Sequence, residues 1–141
     1  MNEKIQNLLN ELNNFKKNTL MNILCIQFIY ISTKLDSLIA KMPINNKILQ
    51  PFGYLHGGAT MVFAESVGSC LSFINRNKKK NELVFNIEIS VNHIQSIKKG
   101  ILFAKAKIIH KGKSLHLIKI DIYNEKKNIS FCKMTNIVIC K

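Results

Sequence analysis

Two periods of hydrophobicity alternate along the chain. Ile5, Leu8, Leu9, Leu12 and Phe15 recur at helical spacing, which predicts an amphipathic helix over 3–17. Residues 22–32, rich in Ile, Phe and Tyr, predict a strand. A second short strand follows at 35–42, ended by Pro43, and "INNKILQPFG" at 44–53 reads as a loop. From 56 to 74 the period is helical again, with no internal proline, and Met61, Ala64, Val67, Cys70 and Leu71 line one face. The remainder is strand-like: 83–97, 101–110, 117–123 (Ile118, Ile120 and Ile122 opposite Lys119 and Asp121) and 129–140. The breaks at 99–100, 111–113 and 124–127 carry Lys-Gly, Lys-Gly-Lys and Asn-Glu-Lys-Lys, and read as hairpin connections. The sheet should therefore be largely antiparallel. One long helix against a curved antiparallel sheet is an α+β domain.

A chain of 141 residues that is 47% apolar can bury a core in one domain and is not disordered. The expected division is an N-terminal amphipathic helix over 1–19 and a single domain over 20–141. The net charge of +13 favours an anionic partner. Lys, Asn and Ile are enriched together, as AT-rich coding produces, and this accounts for part of the charge. The basic clusters at 75–81 and 125–128 read as loop tips and lack interleaved aromatics, so a nucleic-acid partner has charge alone behind it and is not expected. Cys25, Cys70, Cys132 and Cys140 form no CxxC pair and no zinc spacing. Reduced, buried thiols in a cytoplasmic protein are expected, with no metal. The N-terminus is polar and periodic, unlike a signal peptide. The longest apolar run, 20–31, contains Asn22 and Gln27 and is too short for a bilayer, so no membrane partner is expected.

The stretch "QPFGYLHGGATMVFAESVGS" at 50–69 breaks the monotony. If a helix starts near His56 or Gly57, the Gly57 N–H lacks an intrahelical acceptor and points out of the positive end of the dipole. Such a donor can stabilise an oxyanion, and a residue without Cβ lets a substrate approach. The plainer reading of Gly57-Gly58 is a tight turn into the helix. Glu65 lies mid-helix among Val62, Phe63 and Val67, and Ser69 shares its face one turn on. A carboxylate on a packed face is costly unless paired or used, and it could attack an acyl group or activate water. The plainer reading is a solvent-facing glutamate. Gln50 and His56 can hydrogen-bond a carbonyl oxygen or simply fix the lead-in loop. His93, His110 and His116 read first as structural. Gly57 and Glu65 are eight residues apart, roughly 12 Å along one helix, which is too far to serve one reacting carbon. If both are catalytic, the site is shared between two copies of the chain.

The same stretch closely resembles the signature of hotdog-fold acyl-CoA thioesterases. The likeness is to the type that includes the 1,4-dihydroxy-2-naphthoyl-CoA hydrolases of menaquinone synthesis and their phenylacetic-acid-pathway and 4-hydroxybenzoyl-CoA relatives. "IEISVNHIQSIKKG" at 87–100 and "HKGKS" at 110–114 resemble the following strand and hairpin more loosely, and the resemblance spans roughly 20–139. It implies a hotdog fold, a curved antiparallel sheet wrapped around one central helix, and hydrolysis of an acyl-CoA thioester. It implies Glu65 as nucleophile or general base, Gly57 as oxyanion donor, Gln50 and His56 as orienting groups for the thioester carbonyl, and Ser69 as the hydroxyl that positions water or the carboxylate. Coenzyme A, part of the substrate and not a cofactor, would contact Asn86, His93, Gln95, Ser96, His110, Lys111, Gly112, Lys113 and Ser114, with its phosphates near Lys111 and Lys113. Relatives often carry a basic residue where this chain has Gln95. The resemblance further implies homodimers with shared sites, paired into a homotetramer. An aromatic acyl group is the first expectation. A broad-specificity thioesterase and a non-catalytic acyl-CoA-binding domain are the alternatives.

Overall fold

Helix α3 (Gly57–Ile74) is apolar on the side that the sheet covers, and the rest of the chain is arranged around it. The computed structural model describes residues 2–125 and 127–141. In chain order the other elements are α1 (Glu3–Phe15), α2 (Leu20–Ile23), β1 (Gln27–Ile31), β2 (Ser37–Ile44), β3 (Glu82–His93), β4 (Gly100–Lys111), β5 (Leu115–Asn124) and β6 (Lys127–Cys140). Short 3₁₀ turns lie at Asn46–Ile48 and Lys78–Lys80. All strand pairs are antiparallel, in the order β1-β2-β4-β5-β6-β3.

Period-two alternation puts Leu38, Ala40 and Met42 of β2, Leu102, Ala104 and Ala106 of β4, and Ile118, Ile120 and Ile122 of β5 on the inner face. They bury against the face of α3 that carries Phe63, Ala64, Val67 and Leu71. The helix lies close to the sheet at Gly68, where a Cβ would stand 2.1 Å from Met134 Sδ. This is the α+β hotdog arrangement. Met61, expected on the packed face, is instead exposed, because the buried stripe runs through Thr60, Phe63, Ala64 and Val67.

Helix α1 buries Ile5, Leu9 and Leu12. Its Asn13 side chain joins it to edge strand β1: Nδ2 donates to the Phe28 carbonyl at 2.9 Å, and Oδ1 accepts from the Phe28 N–H at 3.0 Å. Such a bond pair covers backbone groups that an edge strand would otherwise leave open.

Several sequence expectations change. Residues 20–23 form α2, and the strand starts only at Gln27, after Cys25 turns the chain with φ 57°. Pro43 does not end β2. Strand β1 reaches only Lys41, so at Pro43 β2 has one neighbour, β4, and a missing N–H is tolerated there. Residues 94–99 are not a strand and hairpin but a crossover, since β3 pairs with β6 and not with β4. The crossover is held by the Ile94 N–H on the Ile129 carbonyl (2.8 Å) and by the Ile97 carbonyl accepting from the Leu55 N–H (2.7 Å). Of the four thiols, Cys70 and Cys132 are buried, whereas Cys25 and Cys140 are exposed near turns or ends. Lys126, in one of the basic clusters, lies outside the described residues.

Candidate active site

The start of α3 is fixed from several directions. His56 is its N-cap, with Nδ1 accepting from the Gly58 N–H at 2.8 Å. Nε2 therefore carries the ring proton of the neutral imidazole and remains available as a donor. The lead-in loop is pinned by the Gln50 N–H on the Tyr54 carbonyl (2.7 Å), the Gly53 N–H on the Gln50 carbonyl (2.9 Å) and the His56 N–H on the Ile48 carbonyl (2.9 Å). Gln50 Oε1 accepts from the Phe52 N–H, which leaves its side-chain NH₂ for another acceptor. The Gly57 N–H has no acceptor among the described residues.

A cavity of about 170 Å³ opens here, lined by Gln50, Gly57, Thr60, His93, Gln95 and Ser96. His93 comes from the end of β3. Its Nδ1 is hydrogen-bonded to the buried Ser130 hydroxyl at 2.9 Å, and its Nε2 lies 2.8 Å from where a Cβ on Gly57 would stand. Glycine at 57 is therefore required for the imidazole to lie against the helix start. Leu55, Ile97 and Ile129 complete the wall, so directional polar groups stand on an apolar floor.

Two helical turns further on, α3 presents a different surface. Glu65 and Ser69 line a cavity of about 350 Å³ with Val62, Phe73, Leu20 and Met21. Glu65 is half-buried, and the Ser69 hydroxyl oxygen is buried without a hydrogen-bond partner among the described residues. A buried hydroxyl of this kind is costly unless a ligand or water completes it. Cys70, on the same wall, is 5% exposed, and burial, reinforced by the neighbouring Glu65 charge, pushes its thiol up to about 12.

The single chain thus gathers Gln50, Gly57, His93, Gln95 and Ser96 in one cavity, and Glu65 with Ser69 in another. The remaining predicted contacts lie elsewhere. Asn86 donates to the Thr135 carbonyl at 3.1 Å and to Asn136 Oδ1 at 3.3 Å. His110, Lys111, Gly112, Lys113 and Ser114 lie at the β4–β5 turn, and Lys111 Nζ reaches Asn75 Oδ1 (3.4 Å) just past the far end of α3. His116 is buried in β5, where desolvation lowers its pKa, in keeping with a structural role. Sequence reasoning missed Ser130, although the alternation of β6 places it on the inner face with Cys132 and Met134. It also missed Thr60, and the contribution of Phe15, Leu20 and Met21, which no local pattern announces.

Residues 52–130 match the family model described as Thioesterase superfamily. The chain belongs to this superfamily. The thioesterase PA1618 of Pseudomonas aeruginosa is 37% identical over 114 residues, 81% of this chain and 77% of that protein. A crystal structure of a mutant of PA1618 superposes with a TM-score of 0.89 at 31% identity, covering 94% of each chain. A protein of Escherichia coli named 1,4-dihydroxy-2-naphthoyl-CoA hydrolase is 35% identical over 118 residues, 84% of each chain. This thioesterase is thus a thioester hydrolase.

Proposed function

We propose that the protein hydrolyses an acyl-CoA to the free acid and coenzyme A, with an aromatic acyl group such as 1,4-dihydroxy-2-naphthoyl in menaquinone biosynthesis as first candidate. The observation that carries this is the division of labour along α3: free donors at Gly57, a carboxylate and an unpartnered hydroxyl at Glu65 and Ser69. The Gly57 N–H, with the Gln50 amide and His56 Nε2–H, would hold the thioester oxygen as it becomes an oxyanion. Glu65 either adds to the carbonyl carbon, giving an anhydride that water opens, or takes a proton from water so that hydroxide adds. In both routes the C–S bond breaks, coenzyme A leaves as thiolate and is protonated, and the acyl carbon ends bonded to an oxygen from water. Ser69 would orient the water or the carboxylate.

One helix cannot bring Gly57 and Glu65 to one carbon, so each site takes its donors from one chain and its carboxylate from a second. Edge strand β3 supports pairing: among the described residues it pairs with β6 alone, and it leaves Leu83, Phe85 and Ile87 exposed. Two such dimers would form the tetramer. Lys111 and Lys113 would face the phosphates of coenzyme A. A hydrolysis screen over aromatic and aliphatic acyl-CoAs, monitored by thiol release, tests the activity. Fastest release from aromatic thioesters is expected. Similar rates on all would make the enzyme broad, and no release from any would leave an acyl-CoA binder.

A further inference from the structure

The larger cavity is built from two unlike parts of the chain. Val62, Glu65, Ser69 and Phe73 lie within the stretch that matches the family model, residues 52–130. Phe15, Thr19, Leu20 and Met21 lie outside it, in α1, α2 and the turn between them. The wall that bears the chemistry is thus shared with the superfamily model, and the roof is not.

That roof is held in place. The Phe15 ring stacks on Phe73 at 4.9 Å between centroids, and the Arg76 guanidinium lies 3.6 Å from the Phe73 centroid. Thr19 Oγ1–H donates to the Lys16 carbonyl at 2.5 Å, and the Lys16 ammonium donates to the Ile26 carbonyl. Asn18, at φ 58°, reverses the chain between the two helices. Glu65 is the one charged side chain among the described lining residues, and the roof is apolar except for Thr19. At about 30 Å³ for each water-sized group, about 350 Å³ holds roughly a dozen heavy atoms.

We propose that the α1–α2 roof selects the acyl group: the substrate carries an uncharged, apolar acyl group that lies between α3 and α2, and Phe15, Leu20 and Met21 set the size accepted. An acyl group ending in a carboxylate, such as malonyl or succinyl, would bring a second negative charge beside Glu65 into apolar walls, and is rejected. This rests on the reading of Glu65 as the reacting carboxylate.

The test uses hydrolysis-inert analogues in which the coenzyme A sulfur bears a 2-oxoalkyl or aryl ketone group. Short, bulky apolar and carboxylate-ended tails are compared by titration calorimetry. The matching thioesters are assayed by thiol release. Met21→Trp should shift the affinity ratio of bulky to short analogues by ~10-fold or more against the bulky one, since it fills the cavity. If Met21→Trp does not fold, Leu20→Trp serves, because Leu20 is 54% exposed and tolerates added bulk. Carboxylate-ended analogues should bind most weakly to the wild type. Parallel changes for bulky and short tails, or tight binding of the carboxylate-ended one, would overturn the roof as selector. Normal turnover by Glu65→Gln with the selectivity shift intact would instead overturn the role of Glu65 and leave the roof standing.

Discussion

The two cavities along α3 are opposites. At the helix start three side chains are each held by one bond: His56 to Gly58, Gln50 to Phe52, His93 to Ser130. What is left over is directional, an N–H or an amide aimed outward. Two turns on, the walls are mostly apolar and two polar groups are underused: among the described residues Glu65 makes no salt bridge and the Ser69 hydroxyl has no partner. Donors are kept rigid so that they need not reorganise when charge develops. A carboxylate gains reactivity from walls that solvate it poorly. The lesson is that one helix carries both kinds of group but cannot bring them together in one chain.

Breaking the carboxylate half should have the largest effect. Glu65→Gln keeps shape and hydrogen-bonding capacity but removes the charge, and should lower turnover by ~10²-fold or more while the fold and assembly survive. A folded variant with near-normal turnover would remove Glu65 from the chemistry.

Next in size is complementation. Glu65→Gln in one chain and Gln50→Ala with His56→Ala in another should each give a nearly inactive homo-oligomer. In a mixed dimer one site draws donors and carboxylate from unmutated positions, and the other carries both defects. Co-refolding should restore up to about half of the activity per mixed dimer. Verified mixed oligomers as inactive as the parents would mean that each site is built within one chain.

How far the sequence foretold this arrangement depended on whether the determinant was local. The N-terminus of α3 was legible within a residue, because a capping side chain, a glycine pair and an apolar period coincide at His56–Gly58. The inner face of β5 was legible because Ile118, Ile120 and Ile122 alternate with charged neighbours. The crossover at 94–99 was not, since Lys-Gly before a strand looks the same whether the next strand is adjacent or three places away. Its course is set by the Leu55–Ile97 and Ile94–Ile129 bonds, contacts distant in sequence. The roof over Glu65 was illegible for the same reason. Phe15 reads as the end of an amphipathic period, and only the fold brings it to Phe73. The separation of Gly57 from Glu65 into different cavities was legible from helix rise alone, since eight residues fix a distance whatever the tertiary structure.

Gly57 and Gly68 sharpen the contrast between chemistry and packing. A Cβ at Gly57 meets a histidine ring, whereas one at Gly68 meets Met134 Sδ at 2.1 Å and Ile120 Cδ1 at 3.3 Å, both in the core. An alanine would gain ~1 kcal/mol of helix propensity at an exposed helical position. Overpacking in a core costs ~1–3 kcal/mol and should win here, so Gly68→Ala lowers the melting temperature. Adding Met134→Ala should make the double variant less unstable than the sum of the singles. Additive effects, or a stabilised Gly68→Ala, would show that the sheet has room to move.

The smallest effect expected is that of blocking thiols at neutral pH. Cys70 lines the cavity beside Glu65, which makes it a natural suspect as a nucleophile. Its pKa is pushed from near 9 to about 12, chiefly by burial and then by the Glu65 charge, so at pH 7 about one molecule in 10⁵ holds the thiolate. Small alkylating reagents should label the exposed Cys25 and Cys140 and leave activity intact. Rapid inactivation that substrate prevents would put Cys70 back into the site. The same shift carries a stability signature. Above pH 9 an unfolded chain releases the protons of Cys70 and Cys132, both held to about 12 in the fold, so the native state binds more protons than the unfolded one. Stability should therefore fall as pH rises from 9 towards 12, by up to about 1.4 kcal/mol per pH unit for each thiol. Cys132→Ala should flatten that alkaline slope without changing turnover at pH 7. An unchanged slope would mean that Cys132 is not kept protonated in the fold.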